Sequence, residues 1–192
     1  SSALTRIADQ LKQILPFGVH VVSSCEELSY PWRTNPALAG EIDELAKKHG
    51  VSVLSTGVNP GFLMDFLPIA MTGVCKSVRQ VTVERIQDAT FRRIPFQKKI
   101  GAGLTQAEFQ AKVEQGVLRH VGLTESVQMI ASRLGWRLDS TSDEITPVVA
   151  ETDVPLGDGV IEAGKVLGVR QIGRGIVNGR EAITLFFRAA IG

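Results

Sequence analysis

The chain has 192 residues, 44% of them apolar and 21% charged, with a formal net charge of +1. That is enough apolar chain for one sizeable domain or two small ones, and it excludes intrinsic disorder. So balanced a charge also speaks against nucleic acid or an anionic membrane surface as partner, and any recognition of anions has to be local.

The first residues give helical spacing: Ala3, Leu4, Ile7, Ala8, Leu11, Ile14 and Leu15, closed by Pro16-Phe17-Gly18. Arg6, Asp9 and Lys12 interrupt this run, so it is no secretory signal. Val19-His20-Val21-Val22-Ser23 predicts a short strand, and the loop after it leads to Asn35-Pro36, a helix cap with proline at the first helical position. The helix continues through Leu38, Ile42, Leu45 and Ala46 to Gly50. Val51-Ser52-Val53-Leu54-Ser55 predicts a second strand, Thr56–Gly61 a turn, and the apolar run from Phe62 a further helix. The most apolar part of that run, from Phe66 to Val74, is too short to cross a bilayer and carries Pro68.

Short alternating helices and strands indicate α/β structure with parallel pairing. The strands are too few for a complete doubly wound sheet. We therefore expect residues 1–73 to be the C-terminal part of a larger Rossmann-type dinucleotide-binding domain. From Lys76 the pattern changes. A strand around Val78–Ile86, helices at 105–116 and 124–135, and strands at 144–151, 165–172 and 181–189 follow, with Asn178-Gly179 as a hairpin turn. Residues 74–192 are thus expected to be an α+β open sandwich on a mixed or antiparallel sheet.

Cys25 and Cys75 do not make a disulfide framework, and His20, His49 and His120 show no metal spacing, so a reduced cytoplasmic protein without metal is expected. The segment with the clearest chemical character is IPFQKKIGAGLT, residues 94–105. Thr105 and Glu108 fit a capping box, which explains them structurally. The same helix start, with Gly101 and Gly103 before it and Lys98 and Lys99 beside them, would also make a nest for a carboxylate. A phosphate loop is excluded, because Gly159–Lys165 has the spacing but ends in Val166 and leads into a strand.

The Ser23-Ser24-Cys25-Glu26 loop and the Thr56–Gly61 turn both follow parallel-type strands and would lie at the ligand-binding edge, although both are also ordinary loop chemistry. Cys25 has no histidine placed nearby in sequence to activate it as a nucleophile. His120 precedes a helix, as a proton carrier or a packing residue. Glu125 and Ser126 suit a helix first turn.

The blocks VVSSCEELSYPW, LSTGVNPGFLMDFLP, RRIPFQKKIGAGLT, LRHVGLTES and GKVLGVRQIGRG resemble the dihydrodipicolinate reductase-like family, nearest its 2,4-diaminopentanoate dehydrogenase branch. The resemblance implies a Rossmann domain paired with an α+β domain that binds substrate and builds a homo-oligomer through its sheet. It implies NAD or NADP as cofactor, with Ser23, Ser24, Cys25, Glu26, Val58, Asn59, Pro60 and Phe62 at the nicotinamide end. It implies a small carboxylate-bearing amino or imino acid as substrate, contacted by Arg93, Gln97, Gly101, Gly103, Thr105 and His120. Lys98 and Lys99 would be catalytic, one anchoring the carboxylate and the other transferring a proton. A lysine that transfers protons near neutrality needs burial or a cationic neighbour to lower its ordinary pKa of about 10.4.

Two departures stand out. Arg92, Arg93 and Pro95 occupy the region where the reductases carry paired histidines, and the glycine-rich G-x-G-x-x-G turn is absent. By this resemblance the chain is a piece of a longer enzyme, cut at both ends and inactive alone. Two other readings stay open: a structural dimerisation domain with no chemistry of its own, and a related two-domain dehydrogenase of a sugar or hydroxy acid.

Overall fold

The computed structural model describes residues 3–118 and 122–192. The opening run folds as a tight turn at Leu4–Arg6, helix α1 at Ala8–Ile14 and a second tight turn at Leu15–Phe17. Leu4, Leu11 and Leu15 form one core cluster with Ile42 and Ala46 of α2 (Pro36–Lys48). Each leucine or isoleucine among them contributes about 1.5–3 kcal/mol on leaving water. Pro36 starts α2 as expected, but the Asn35 side chain makes no cap hydrogen bond, so the proline's fixed backbone sets this helix start without it.

Strands β1 (Val21–Ser23) and β2 (Val53–Ser55) pair in parallel, Val21 opposite Val53 and Ser23 opposite Ser55. Parallel neighbours need a crossover, which α2 supplies. Because the two strands end in register, the loops that follow them leave from one edge. The helix expected from Phe62 begins only at Phe66, as α3 (Phe66–Thr72), since residues 61–65 continue the turn and the Asp65 side chain caps the helix at the Phe66 N–H.

The remaining elements are β3 (Val81–Asp88), α4 (Ile94–Lys99), α5 (Gln106–Glu114), α6 (Leu123–Arg133), β4 (Ser140–Val149), β5 (Val154–Leu156), β6 (Gly159–Ile161), β7 (Val166–Val177) and β8 (Arg180–Ala190). The main sheet has the order β3-β8-β7-β4, and β5 with β6 forms a small antiparallel ribbon. Asn178 and Gly179, at φ 51° and 72°, make the expected hairpin between β7 and β8. Asp139 donates to the Ile176 carbonyl at one end of β4 and Ala150 to that of Lys165 at the other, so β4 is antiparallel to β7. β3 and β8 end together, where the Ala89 N–H donates to the Ala190 carbonyl, and so run the same way. The mixed α+β sheet read from the sequence is therefore present.

By packing, the chain divides into two units. One gathers the described residues up to Val81 with α6, its flanking residues to Thr141, and the Arg174–Thr184 segment. The other holds Thr82 through Leu118, Ser142–Gly173 and Leu185–Gly192. The break read near residue 73 marks a change in strand pairing, whereas packing follows the apolar face of α6. Val127 on that face lies with Leu138 and Ile183 against Gly175 in the first unit. Among the described residues no helix is long and apolar enough to cross a membrane.

Candidate functional site

At the carboxyl edge of β1 and β2 the two following loops are stitched together. The Thr56 N–H donates to the Ser23 carbonyl at 2.9 Å, and the Ser55 hydroxyl donates to the Cys25 carbonyl at 2.9 Å. The Ser29 and Ser55 hydroxyls lie 3.0 Å apart, and the Cys25 N–H donates to the Ser23 hydroxyl oxygen. Ser23 is half-buried and Ser24 exposed. Cys25 is only 2% exposed; burial pushes its thiol up, and the negative charge of Glu27 adds to this. A nucleophilic cysteine needs the opposite shift, and the Cys25 side chain is packed inside its loop. Glu26 is half-buried, and its Oε2 has no hydrogen-bond partner among the described residues.

The turn after β2 divides its residues sharply. Val58 and Phe62 are 59% and 46% exposed, while Asn59 and Pro60 are buried, the Asn59 amide donating to the Met64 sulfur. Asp65, fully buried, closes the turn. Its Oδ2 accepts from the Gly61 N–H and from the Ser126 hydroxyl, both at 2.8 Å, and its Oδ1 accepts from the Phe66 N–H at the start of α3. Gly122, just before α6, has φ of 102°, and a Cβ there would lie 2.3 Å from Pro60 Cγ. Only glycine allows the proline ring to seat against this helix start.

Beside the turn a cleft of about 560 Å³ reaches from Trp32 and Ser29 past Ser55 and Gly61 to Phe66 and Arg133. Its volume falls in the ordinary range of small-molecule sites. Asp65 was not among the residues singled out in the sequence. The signal was a lone carboxylate inside the apolar run FLMDFL, where only a buried, satisfied acid fits.

The second unit holds the lysine segment. Residues 94–99 form the short helix α4, with Pro95 in its first turn and Lys98 and Lys99 in its last, both exposed. Arg93 is exposed ahead of it, and the Arg92 guanidinium stacks over the Phe96 ring at 4.8 Å. Gln97 donates to the Ala89 and Thr90 carbonyls, which fixes it as a strut for the approach to α4.

The expected nest of backbone amides at 101–105 is not open. Gly101 donates to the Lys98 carbonyl, Ala102 to Gln97, Gly103 to Val166, Leu104 to Gly101, and Thr105 to the Glu108 carboxylate. Gly101 is a glycine for packing reasons: at φ 81°, a Cβ would come 2.8 Å from Leu118 and 2.9 Å from Phe109. The Thr105–Glu108 capping box is formed in both directions, and those bonds hold the Glu108 carboxyl below its ordinary range. His120 lies outside the described residues.

Against known proteins, the profile of the 2,4-diaminopentanoate dehydrogenase C-terminal domain matches residues 62–191. The 2,4-diaminopentanoate dehydrogenase of Acetoanaerobium sticklandii is 39% identical over 188 residues, covering 96% of this chain and 53% of the relative. The chain thus spans about half the length of the curated relative that it matches. The structure of an amine dehydrogenase from Mycobacterium smegmatis superposes with a TM-score of 0.79 at 22% identity, over all of this chain and 57% of that one. At that identity the likeness speaks for the fold.

Proposed function

The chain belongs to the 2,4-diaminopentanoate dehydrogenase family, and from that premise we propose that its parent protein is an NAD(P)-dependent oxidoreductase of a small amino or imino acid. The observation that carries the reading is the in-register end of β1 and β2, with two stitched loops and an apolar, exposed Val58 and Phe62 at one edge. Open α/β sheets bind nucleotides at such an edge. These residues fit the nicotinamide end of the cofactor: flat apolar contact from Val58 and Phe62, and hydroxyls and carbonyls from the Ser23–Glu26 loop. They do not fit a pyrophosphate, for which this sequence has no glycine-rich turn between strand and helix.

When bound, the nicotinamide supplies acceptance of hydride. The carbon bearing the amine would lose that hydride and its nitrogen a proton, giving an imine that water hydrolyses. Lys98 and Lys99, exposed at the end of α4, serve as charge anchors for a substrate carboxylate, with Arg93 nearby in sequence. Gln97, Gly101, Gly103 and Thr105 shape their surroundings, the glycines and threonine through packing and capping. Assigning the proton transfer to one of the two lysines belongs to the same proposal.

In chain order, residues 1–73 would close the dinucleotide-binding domain and residues 74–192 would form the substrate and oligomerisation domain. Half-buried Thr184, Phe186 and Arg188 on β8 offer a face for a second copy. The free thiols of Cys25 and Cys75 suit a reducing, cytoplasmic setting.

The test uses the full-length protein. Reduction of NAD or NADP that depends on 2,4-diaminopentanoate or a related amino acid is expected, with kcat/KM lowered about tenfold or more by Lys98→Ala or Lys99→Ala. Unchanged kcat/KM in both variants would overturn the lysines' role. The internally satisfied amides around Gly103 favour one other reading, a purely structural piece. Sedimentation would then show self-association that no carboxylate ligand alters.

A further inference from the structure

We propose that Asp65 and Ser126 are a positioning pair that holds the turn at residues 58–62 in the shape that receives the nicotinamide; this rests on the cofactor reading above. Capping α3 requires only the bond from the Phe66 N–H. The other two bonds do something else. The Gly61 N–H belongs to the turn, and the Ser126 hydroxyl belongs to α6, 61 residues further along the chain. Asp65 and Ser126 are both 0% exposed, so water cannot replace either partner.

The turn meets the start of α6 a second time, where the Pro60 ring sits against its N-cap residue Gly122. The turn is therefore anchored to α6 at two points: a hydrogen bond on one and a ring contact on the other. On either side of the Pro60 anchor it presents Val58 and Phe62 outward, and the Phe62 ring stacks on Phe66 with centroids 6.2 Å apart. A surface that must receive a flat ring is useful only if it does not move. The buried carboxylate supplies that rigidity in a stretch that has no strand or helix of its own.

The alternative is that the pair only stabilises the fold. Two classes of ligand separate the cases: the reduced dinucleotides NADH and NADPH, and ADP-ribose and its 2′-phosphate, which lack the nicotinamide. Binding is measured on the full-length enzyme by fluorescence and calorimetry for the unaltered protein, Ser126→Ala and Asp65→Asn. Loss of one buried bond to a carboxylate is expected to weaken dinucleotide binding about tenfold in Ser126→Ala, and further in Asp65→Asn, with ADP-ribose affinity unchanged.

Equal weakening of both ligands overturns the proposal in favour of a structural role, and no change in either overturns it outright. Should Asp65→Asn fail to fold, Ser126→Ala, which removes one bond of three, decides by the same comparison. Failure of both to fold makes the pair structural and overturns the proposal. If the unaltered enzyme binds no dinucleotide, the cofactor reading itself falls and takes this proposal with it, an outcome distinct from a difference among variants.

Discussion

The turn at residues 57–65 leads into the short helix α3 and the lysine segment at residues 93–105 contains the short helix α4, but the two are held in different ways. The turn is fixed from beneath, by a fully buried carboxylate and a proline ring against α6. The lysine segment is fixed by its backbone, five successive amides bonding to three carbonyls of its own, to that of Val166 and to the Glu108 carboxylate. In the first, polar groups are hidden and apolar side chains face out; in the second, charges face out over a closed backbone. A flat, weakly polar ligand suits the first arrangement and a carboxylate the second, because an exposed ammonium needs no nest to attract one.

The largest way to break this contrast is Asp65→Ala. It removes the acceptor of three donors, of which the Ser126 hydroxyl is fully buried, and we expect a loss of about 4 kcal/mol in the stability of the full-length protein, read by denaturant unfolding. Gly122→Ala follows, at about 3 kcal/mol, since it forces a side chain into a left-handed backbone and against Pro60. A loss below about 1 kcal/mol in either would mean that the turn is not held from beneath.

Thr105→Ala probes the other region and should cost about 1 kcal/mol, the ordinary value of a helix cap. That difference depends on pH in a defined direction. The folded Glu108 carboxyl titrates below its unfolded value, so its contribution is complete above the unfolded pKa and disappears as pH falls through the folded one. The gap between the unaltered protein and Thr105→Ala should therefore narrow on acidification below about pH 4. Smallest of all, Lys98→Ala and Lys99→Ala should alter stability by less than about 0.5 kcal/mol, as exposed residues do, and act on kcat/KM alone.

Much of the fold was readable because local signals agreed with the final packing. Leu4, Leu11 and Leu15 kept helical spacing, Asn178-Gly179 named its hairpin, and Thr105 with Glu108 named a helix start. Other features were hidden for physical reasons. α4 has six residues and no buried side chain among them, so it carries no apolar period to detect. The β5–β6 ribbon pairs only three residues on each side, too few for alternation to stand out.

The candidate site divides the same way. Exposed Lys98 and Lys99 announce themselves as charge, whereas the value of Asp65 lies in partners at Gly61 and Ser126 that only the folded chain brings to it. The closed amides at Gly101–Thr105 were equally invisible, since their acceptors include the carbonyl of Val166, far along the sequence.

The contrast between the two cysteines has a practical consequence. Cys75 is exposed just beyond α3, while Cys25 is shielded and held as a neutral thiol. At neutral pH a maleimide dye should label Cys75 within minutes and leave Cys25 untouched until the β1–β2 edge opens. The delayed second labelling would then time the breathing of that edge, with no engineered probe required.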